Sequence, residues 1–298
     1  MIRRAVVAAA LLVAAITASA TTVAQPPAFD LQAHRGGRGE TTEESLRAFA
    51  KSLALGVSTL ELDIVLTRDA QPLVWHDPVI EPAKCTDTGP AFPGDPDYPY
   101  VGRRVADLTL DQIRTLDCGH LLPEFPDAEV VRHNVIATLP DVFALAGRTD
   151  VRYNIEAKVD GDNQQQIIDV ILAAVRAAEK LDGVQIQSFD WRTLPLVRAA
   201  EPGIPLVALA EQGPDPISGA LAVGADIVSP DYVMVDRALT ERAHAAGLRV
   251  IPWTVNDSDA MRQQIAAGVD GLITDYPSRL RAVLAELGMP LPRAHPVN

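Results

Sequence analysis

From residue 28 onward the chain keeps one rhythm for roughly 250 residues. Short apolar runs alternate with stretches whose apolar residues recur every three to four positions. The extended runs are FDLQAHRG, TLELDIVL, LVWHD, RYNIEAK, GVQIQSF, IPLVALA, ADIVSP, RVIPWTV and DGLITDYP. Between them lie helical stretches such as EESLRAFAKSLALG, QQQIIDVILAAVRAAEK and ALTERAHAAG. Such alternation builds either a (β/α)8 TIM barrel or a doubly wound open sheet. HRGGRG superficially offers a dinucleotide-binding glycine pattern, but the acid at the spacing that fingerprint requires does not follow. Polar residues sit at the C-terminal ends of run after run, and a barrel brings all those ends onto one rim. The sequence therefore predicts a barrel over residues 28–288 with a tail at 289–298. Nine runs exceed eight strands, so either Leu73–His76 forms a hairpin with Leu60–Val65 or one run lies outside the barrel.

The rhythm breaks between residues 78 and 138. DPVIEPAKCTDTGPAFPGDPDYPYVGRR is Pro-rich and holds no long helical pattern; one short helix, LTLDQIRTLD, follows before Cys118. Loops of this length in a compact domain are usually functional. Here the loop follows the run that ends in His76, and it reads as an insertion over the rim, serving either substrate contact or packing alone.

The first 24 residues have the order of a secretory signal peptide: MIRR, an uncharged Ala/Leu/Val/Ile run, then Ala18-Ser19-Ala20, with cleavage after Ala20 or Ala24. The run is barely long enough to span a bilayer, so no stable membrane span is expected after cleavage. The mature chain is expected in the periplasm or outside the cell. Two cysteines in an exported chain more often pair than bind metal. Cys85 and Cys118 are therefore expected to form a disulfide worth about 4 kcal/mol on the chain-entropy account. The formal net charge of −13 repels nucleic acid at long range, and nothing in the sequence marks a protein partner. An anionic ligand is admitted only where local positive charge or a metal overrides that field.

TLELDIVL contains two acids where an apolar strand usually has none. Glu61 and Asp63 are two apart, so they share one strand face. An edge strand with a solvated face would explain them alone. NIEAK adds Glu156 and Lys158, again two apart; AHRGG ends in His34-Arg35 and LVWHD in His76. Three inward carboxylates on neighbouring strands repel unless a cation neutralises them, and carboxylates without thiolates suit a hard ion, Mg²⁺ or Ca²⁺. Two histidines beside such a site suit a general acid and a general base. Arg35 and Lys158 supply positive charge for an anionic ligand. This set fits a phosphodiester better than a glycoside, whose hydrolysis uses a carboxylate pair; at 5% aromatic residues the chain has little for sugar stacking.

HRGG, LELDIVLT, LVWHD, NIEAK, QSFD, PWTVN and DGLITDYP, in this order over residues 31–287, resemble the motifs of the glycerophosphodiester phosphodiesterase family. The resemblance implies a (β/α)8 barrel of the phosphatidylinositol-phospholipase-C-like phosphodiesterase type. It also implies metal-dependent hydrolysis of glycerophosphodiesters to glycerol 3-phosphate and an alcohol. It makes His34 and His76 the acid–base pair, Glu61, Asp63 and Glu156 the ligands of one divalent cation, and Arg35 and Lys158 the phosphate-binding groups. Gln187 and Trp253 match rim positions near the substrate, although Trp253 is equally explained by core packing. The family usually reads Pro-Glu-Asn-Thr before its first helix, whereas this chain reads Thr42-Glu43-Glu44-Ser45. Thr41 or Thr42 is the expected helix cap. Two alternatives stand beside this reading. One is a phospholipase C- or D-like lyase acting on lipid head groups; the other is an exported phosphodiester-binding protein without turnover.

Overall fold

The computed structural model describes residues 28–213 and 215–297, so the signal-like segment 1–24 lies outside the described residues. Strand β1 (Asp30–Ala33) leads through helix α1 (Leu46–Leu55) to β2 (Thr59–Leu66), and β3 (Pro72–Val74) turns back on it. Within the insertion come β4 (Thr86–Asp87), α2 (Leu110–Ile113) and β5 (Leu116–Asp117). The alternation then resumes with α3 (Leu139–Ala146), β6 (Arg152–Ala157), α4 (Gln164–Ala177), β7 (Val184–Ser188) and α5 (Leu194–Ala200). It ends with β8 (Leu206–Ala210), α6 (Ile217–Ala222), β9 (Ile227–Pro230), α7 (Arg237–Ala245), β10 (Arg249–Val250), α8 (Ser258–Ala267), β11 (Gly271–Thr274) and α9 (Pro277–Glu286).

The strands run in the order β10-β9-β8-β7-β6-β2-β1-β11, all parallel. Backbone hydrogen bonds from Asp270 to Val250 (2.8 Å), Ile273 to Pro252 (3.0 Å) and Val255 to Ile273 (2.9 Å) join the two ends and close a (β/α)8 barrel. The surplus ninth run is the hairpin arm β3, antiparallel to β2 with Ile64 opposite Val74 and Leu66 opposite Pro72. That pairing turns the chain back along β2, so that Trp75 N donates to Asp63 O (3.1 Å) and the following His76 arrives beside the acidic part of β2.

The helices cover the barrel wall with apolar stripes. In α4 the stripe is Ile167, Ile168, Ile171, Leu172 and Val175, recurring at three and four and all buried. Removing one such side chain costs about 2–5 kcal/mol in lost transfer energy and cavity. Helix α1 buries Ala48, Phe49 and Leu53, and its N-terminus is capped by Ser45, whose hydroxyl accepts from Ala48 N. The expected cap at Thr41 or Thr42 is thus corrected. Glu44 adopts φ +55, a left-handed turn that carries the chain past both threonines before the helix begins. Ser45 stands where the related pattern has Thr, so the capping hydroxyl is kept.

The barrel interior is split. On one side Val207, Ile227, Ile251 and Ile273 pack together, the usual filling of such barrels. On the other, buried polar side chains stack in a hydrogen-bonded column. Asp30 accepts from Thr59 (2.7 Å) and Gln32 (3.1 Å), and its carboxylate faces Arg152 at 2.9 Å. Asn154 donates to Gln32 (2.9 Å) and to Gln187 (2.8 Å). Gln187 donates in turn to Glu61 Oε1 at 2.7 Å. Such groups are stable inside only when partnered. The column therefore fixes the floor beneath the acids of β2.

The insertion has its own core of Trp75, Ile80, Tyr100, Val105, Leu108 and Ile113, with the β4–β5 ladder across it. The sulfurs of Cys85 and Cys118 lie at disulfide distance, 2.09 Å. The tail lies along the chain's own surface: His295 N donates to Leu53 O (2.7 Å) and its ring meets Asp150 at 2.8 Å. No helix among the described residues is long and apolar enough to cross a membrane.

Candidate active site

Strand β2 sends Leu60, Leu62 and Ile64 outward to the helices and, by the two-residue period, Glu61 and Asp63 inward. Register does the rest. Asp63 pairs with Glu156 of β6, and Glu156 pairs with Gln187 of β7, so the acids of two neighbouring strands face one another. One oxygen each from Glu61, Asp63 and Glu156 lies within 4.8 Å of the others. Two full negative charges at that separation repel by about 3 kcal/mol at an effective dielectric near 20.

The electrostatics record that repulsion. Burial, with the charge of Asp63, pushes Glu61 well above the carboxylate range. Glu156 is pushed up to about 8 by burial, with Lys158 opposing and Asp63 reinforcing. Asp63 goes the other way: burial would raise it, but Lys158 and Arg35 hold it far below its ordinary value. Lys158 Nζ stands 2.7 Å from Glu156 Oε1 and 3.3 Å from Asp63 Oδ1, and Arg35 Nε stands 3.0 Å from Asp63 Oδ2. The Arg35 N–H is not aimed along that line, which leaves Asp63 Oδ2 buried without a hydrogen-bond donor. Three all-oxygen donors and an unpartnered buried carboxylate oxygen fit a hard divalent cation, whose charge turns the mutual repulsion into attraction.

Each histidine is backed by an aspartate. His34, in the turn after β1, meets Asp275 Oδ1 through Nδ1 at 2.5 Å. Asp275 itself accepts from Asn256 Nδ2 at 2.7 Å, and although burial opposes it, His34 holds that carboxyl below its ordinary value. His76 meets Asp77 Oδ1 through Nδ1 at 2.8 Å. An ionised carboxylate only accepts, so each Nδ1 carries the proton and each Nε2 is left for the site. Burial lowers the His76 pKa and the Asp77 hydrogen bond opposes that shift. Asp77 Oδ2 accepts from Lys84, whose ammonium also donates to Glu43 Oε1 at 2.6 Å. Glu43 Oε2 lies 3.5 Å from Arg35 and 2.6 Å from Arg38. A continuous chain of charges thus runs from His76 to Arg35. It passes through Lys84, the residue before Cys85.

His34, Arg35, Glu61, His76, Glu156, Lys158, Gln187 and Trp253 line one small cavity. Gln187, expected at the rim, is instead buried beneath Glu61, which it orients. Trp253 is packed and also faces the cavity. Its Nε1 donates to Ser229 O (2.9 Å), its ring packs edge-on against Phe189 with centroids 5.4 Å apart, and it lines the cavity wall. Sequence reasoning missed the supporting set. Asp275, Asn256 and Asp77 lay inside quoted motifs without a role; Lys84 carried no signal at all. Glu44 was noted only as a departure, yet its Oε1 accepts from Asp63 N at 3.1 Å and so holds the backbone of the acidic strand.

Comparison with known proteins agrees with the geometry. Residues 34–279 match the glycerophosphoryl diester phosphodiesterase family. A glycerophosphodiester phosphodiesterase of Caldanaerobacter subterraneus is 31% identical over 249 residues, covering 83% of this chain and 94% of the relative. A human lysophospholipase D is 27% identical over 278 residues, covering 84% of each chain. The structure of a candidate glycerophosphoryl diester phosphodiesterase from Silicibacter pomeroyi superposes with a TM-score of 0.81 at 29% identity, over 89% of this chain and 96% of the other. A phosphodiesterase of Oleispira antarctica, solved with the product sn-glycerol-3-phosphate, shares the fold with a TM-score of 0.73 at 19% identity, over 86% of this chain and 96% of the other. The chain belongs to the glycerophosphoryl diester phosphodiesterase family and is a phosphoric diester hydrolase.

Proposed function

We propose that the chain hydrolyses glycerophosphodiesters to glycerol 3-phosphate and an alcohol by acid–base catalysis between His34 and His76, with one divalent cation at Glu61, Asp63 and Glu156. The observation that carries this reading is the pair of aspartate-backed histidines lining the same cavity as Glu61 and Glu156, two members of the three-carboxylate cluster. The signal-like N-terminus and the cysteine pair at disulfide distance support export.

When bound, a Mg²⁺ or Ca²⁺ ion supplies charge that polarises the phosphoryl group. The chain's own residues do the rest. Lys158 and Arg35 offset charge on the phosphoryl oxygens. One histidine, through Nε2, takes the proton of the attacking hydroxyl, which belongs either to water or to the neighbouring glycerol. The new P–O bond forms as the bond to the alcohol breaks. The other histidine enters as the imidazolium, protonated at both ring nitrogens, and gives its Nε2 proton to the departing oxygen while its Nδ1 proton stays in the hydrogen bond to the backing aspartate. If the glycerol hydroxyl attacks, the cyclic phosphate formed is opened by water with the histidine roles exchanged. Asp275 and Asp77 hold both rings in the tautomer these transfers require, and Gln187 and Arg35 N (2.8 Å to Oε2) hold both oxygens of Glu61.

The test is product identity. Incubated with glycerophosphocholine and followed by phosphorus NMR, the mature protein is expected to release glycerol 3-phosphate with free choline. Phosphocholine or a persistent cyclic phosphate would place the chain with the lyase-like readings, and binding without any product would mark a silent binder.

Lys84 is a positioning residue in this account, acting on His76 through Asp77. Lys84→Met is expected to lower kcat about 10- to 100-fold with KM little changed, since small misplacements of a catalytic group cost this much. Lys84→Arg is expected to restore most of the rate. A loss that Arg fails to rescue, or one confined to KM, would remove Lys84 from the relay.

A further inference from the structure

The cavity holding the catalytic groups is small, about 70 Å³. It shares His76, Glu156, Lys158 and Phe189 with a cleft of about 770 Å³. The cleft has walls of separate origin: Arg104 from the insertion, Arg68 just past β2, Asp160 and Asn163 after β6, and Asp190 and Arg192 after β7. A three-carbon glycerol phosphate suits the small cavity; the far larger cleft faces the other substituent of the diester.

We propose that this cleft is the alcohol-side subsite and that it selects a polyhydroxylated alcohol, such as inositol or glycerol, over a quaternary ammonium or an acyl chain. The proposal rests on the hydrolytic reading above and names its substrate class. Arg104 pairs with Asp160 from one wall to the other, and Arg192 Nε donates to Asp190 at 2.8 Å. Each pair sets a fork of donors beside an acceptor, and vicinal hydroxyl groups, which donate and accept at once, complement such alternation. Asn163 adds an amide of both kinds. A trimethylammonium group is recognised by several aromatic faces, and among the described residues Phe189 is the single Phe, Tyr or Trp lining the cleft. An acyl chain would find apolar lining at Val65, Leu66, Val105 and Val159, but it would strip the facing charged pairs of water without replacing their hydrogen bonds. In a chain of formal charge −13, three arginines in one cleft also mark a local departure from the surface at large.

The test compares glycerophosphoinositol and glycerophosphocholine with the same metal present. The wild-type protein is expected to turn over the inositol diester with kcat/KM about tenfold or more above the choline diester, equivalent to one or two good polar contacts. Arg104 is more than half exposed, so Arg104→Ala is not expected to disturb folding. It is expected to narrow that ratio to within about threefold, chiefly by raising KM for the inositol diester, as loss of ground-state binding does. Arg192→Ala should narrow it as well. A wild-type ratio near one, or a ratio unmoved in both variants, overturns the subsite. Hydrolysis of neither diester would instead strike the hydrolytic reading. Calorimetric titration with glycerophosphoinositol would then still decide the cleft, equal heats and affinities for wild type and Arg104→Ala overturning it.

Discussion

His34→Ala is expected to lower kcat on a glycerophosphodiester about 10³-fold, within the range that one positioned proton-transfer group contributes. The melting temperature should move little. The ring lies at the cavity wall, and the carboxyl it leaves, Asp275, keeps its hydrogen bond from Asn256 and the backbone tie between Asp275 N and Asn256 Oδ1 at 2.9 Å. The same reasoning ranks a second variant. Asp275→Asn keeps the shape but offers an amide where Nδ1 needs an acceptor, so the ring is held in the wrong tautomer and the rate should also fall steeply. Initial rates and a thermal melt on the same preparations check both. Full turnover in His34→Ala would remove it from the chemistry.

Glu61→Gln is expected to weaken divalent-cation binding about 100-fold or more, since it removes charge from a ligand atom itself rather than from a supporting partner. Its effect on stability should change sign with metal. In the metal-free protein Glu61 is a buried acid pushed upward by burial and by Asp63, so at neutral pH its ionised form opposes folding. Removing that charge should raise the metal-free melting temperature. With Mg²⁺ or Ca²⁺ added, the wild type should gain stability through linkage, and the variant should gain much less. Melts at several metal concentrations read both effects. A variant destabilised equally with and without metal would show that Glu61 is merely structural.

Most of the framework was legible because it is written locally. The two-residue period of TLELDIVL set Glu61 and Asp63 on the inner face, and the stripe of α4 identified the outer layer, each within one segment. The ninth extended run became clear only with the β2–β3 register, since a short apolar run does not state its direction. The helix cap was misplaced because TTEES offers three hydroxyls, and the left-handed turn at Glu44 selects among them. The deeper site was not legible for a different reason. His34 and Asp275 are 241 residues apart, and Asn154 links strands β1 and β7. Neither contact leaves a periodic trace, and both exist only because the barrel closes. Lys84 sits in the Pro-rich insertion, where no regular pattern sets the direction of any side chain.

The most direct test of the central claim is glycerol 3-phosphate release from glycerophosphocholine by mature protein stripped with EDTA, then given Mg²⁺ or Ca²⁺. The account predicts loss of release on stripping, recovery with one of these ions, and little recovery in Glu61→Gln at the same metal concentration. Undiminished release from the thoroughly stripped protein would contradict it, because the carboxylate cluster would then have no part in the reaction.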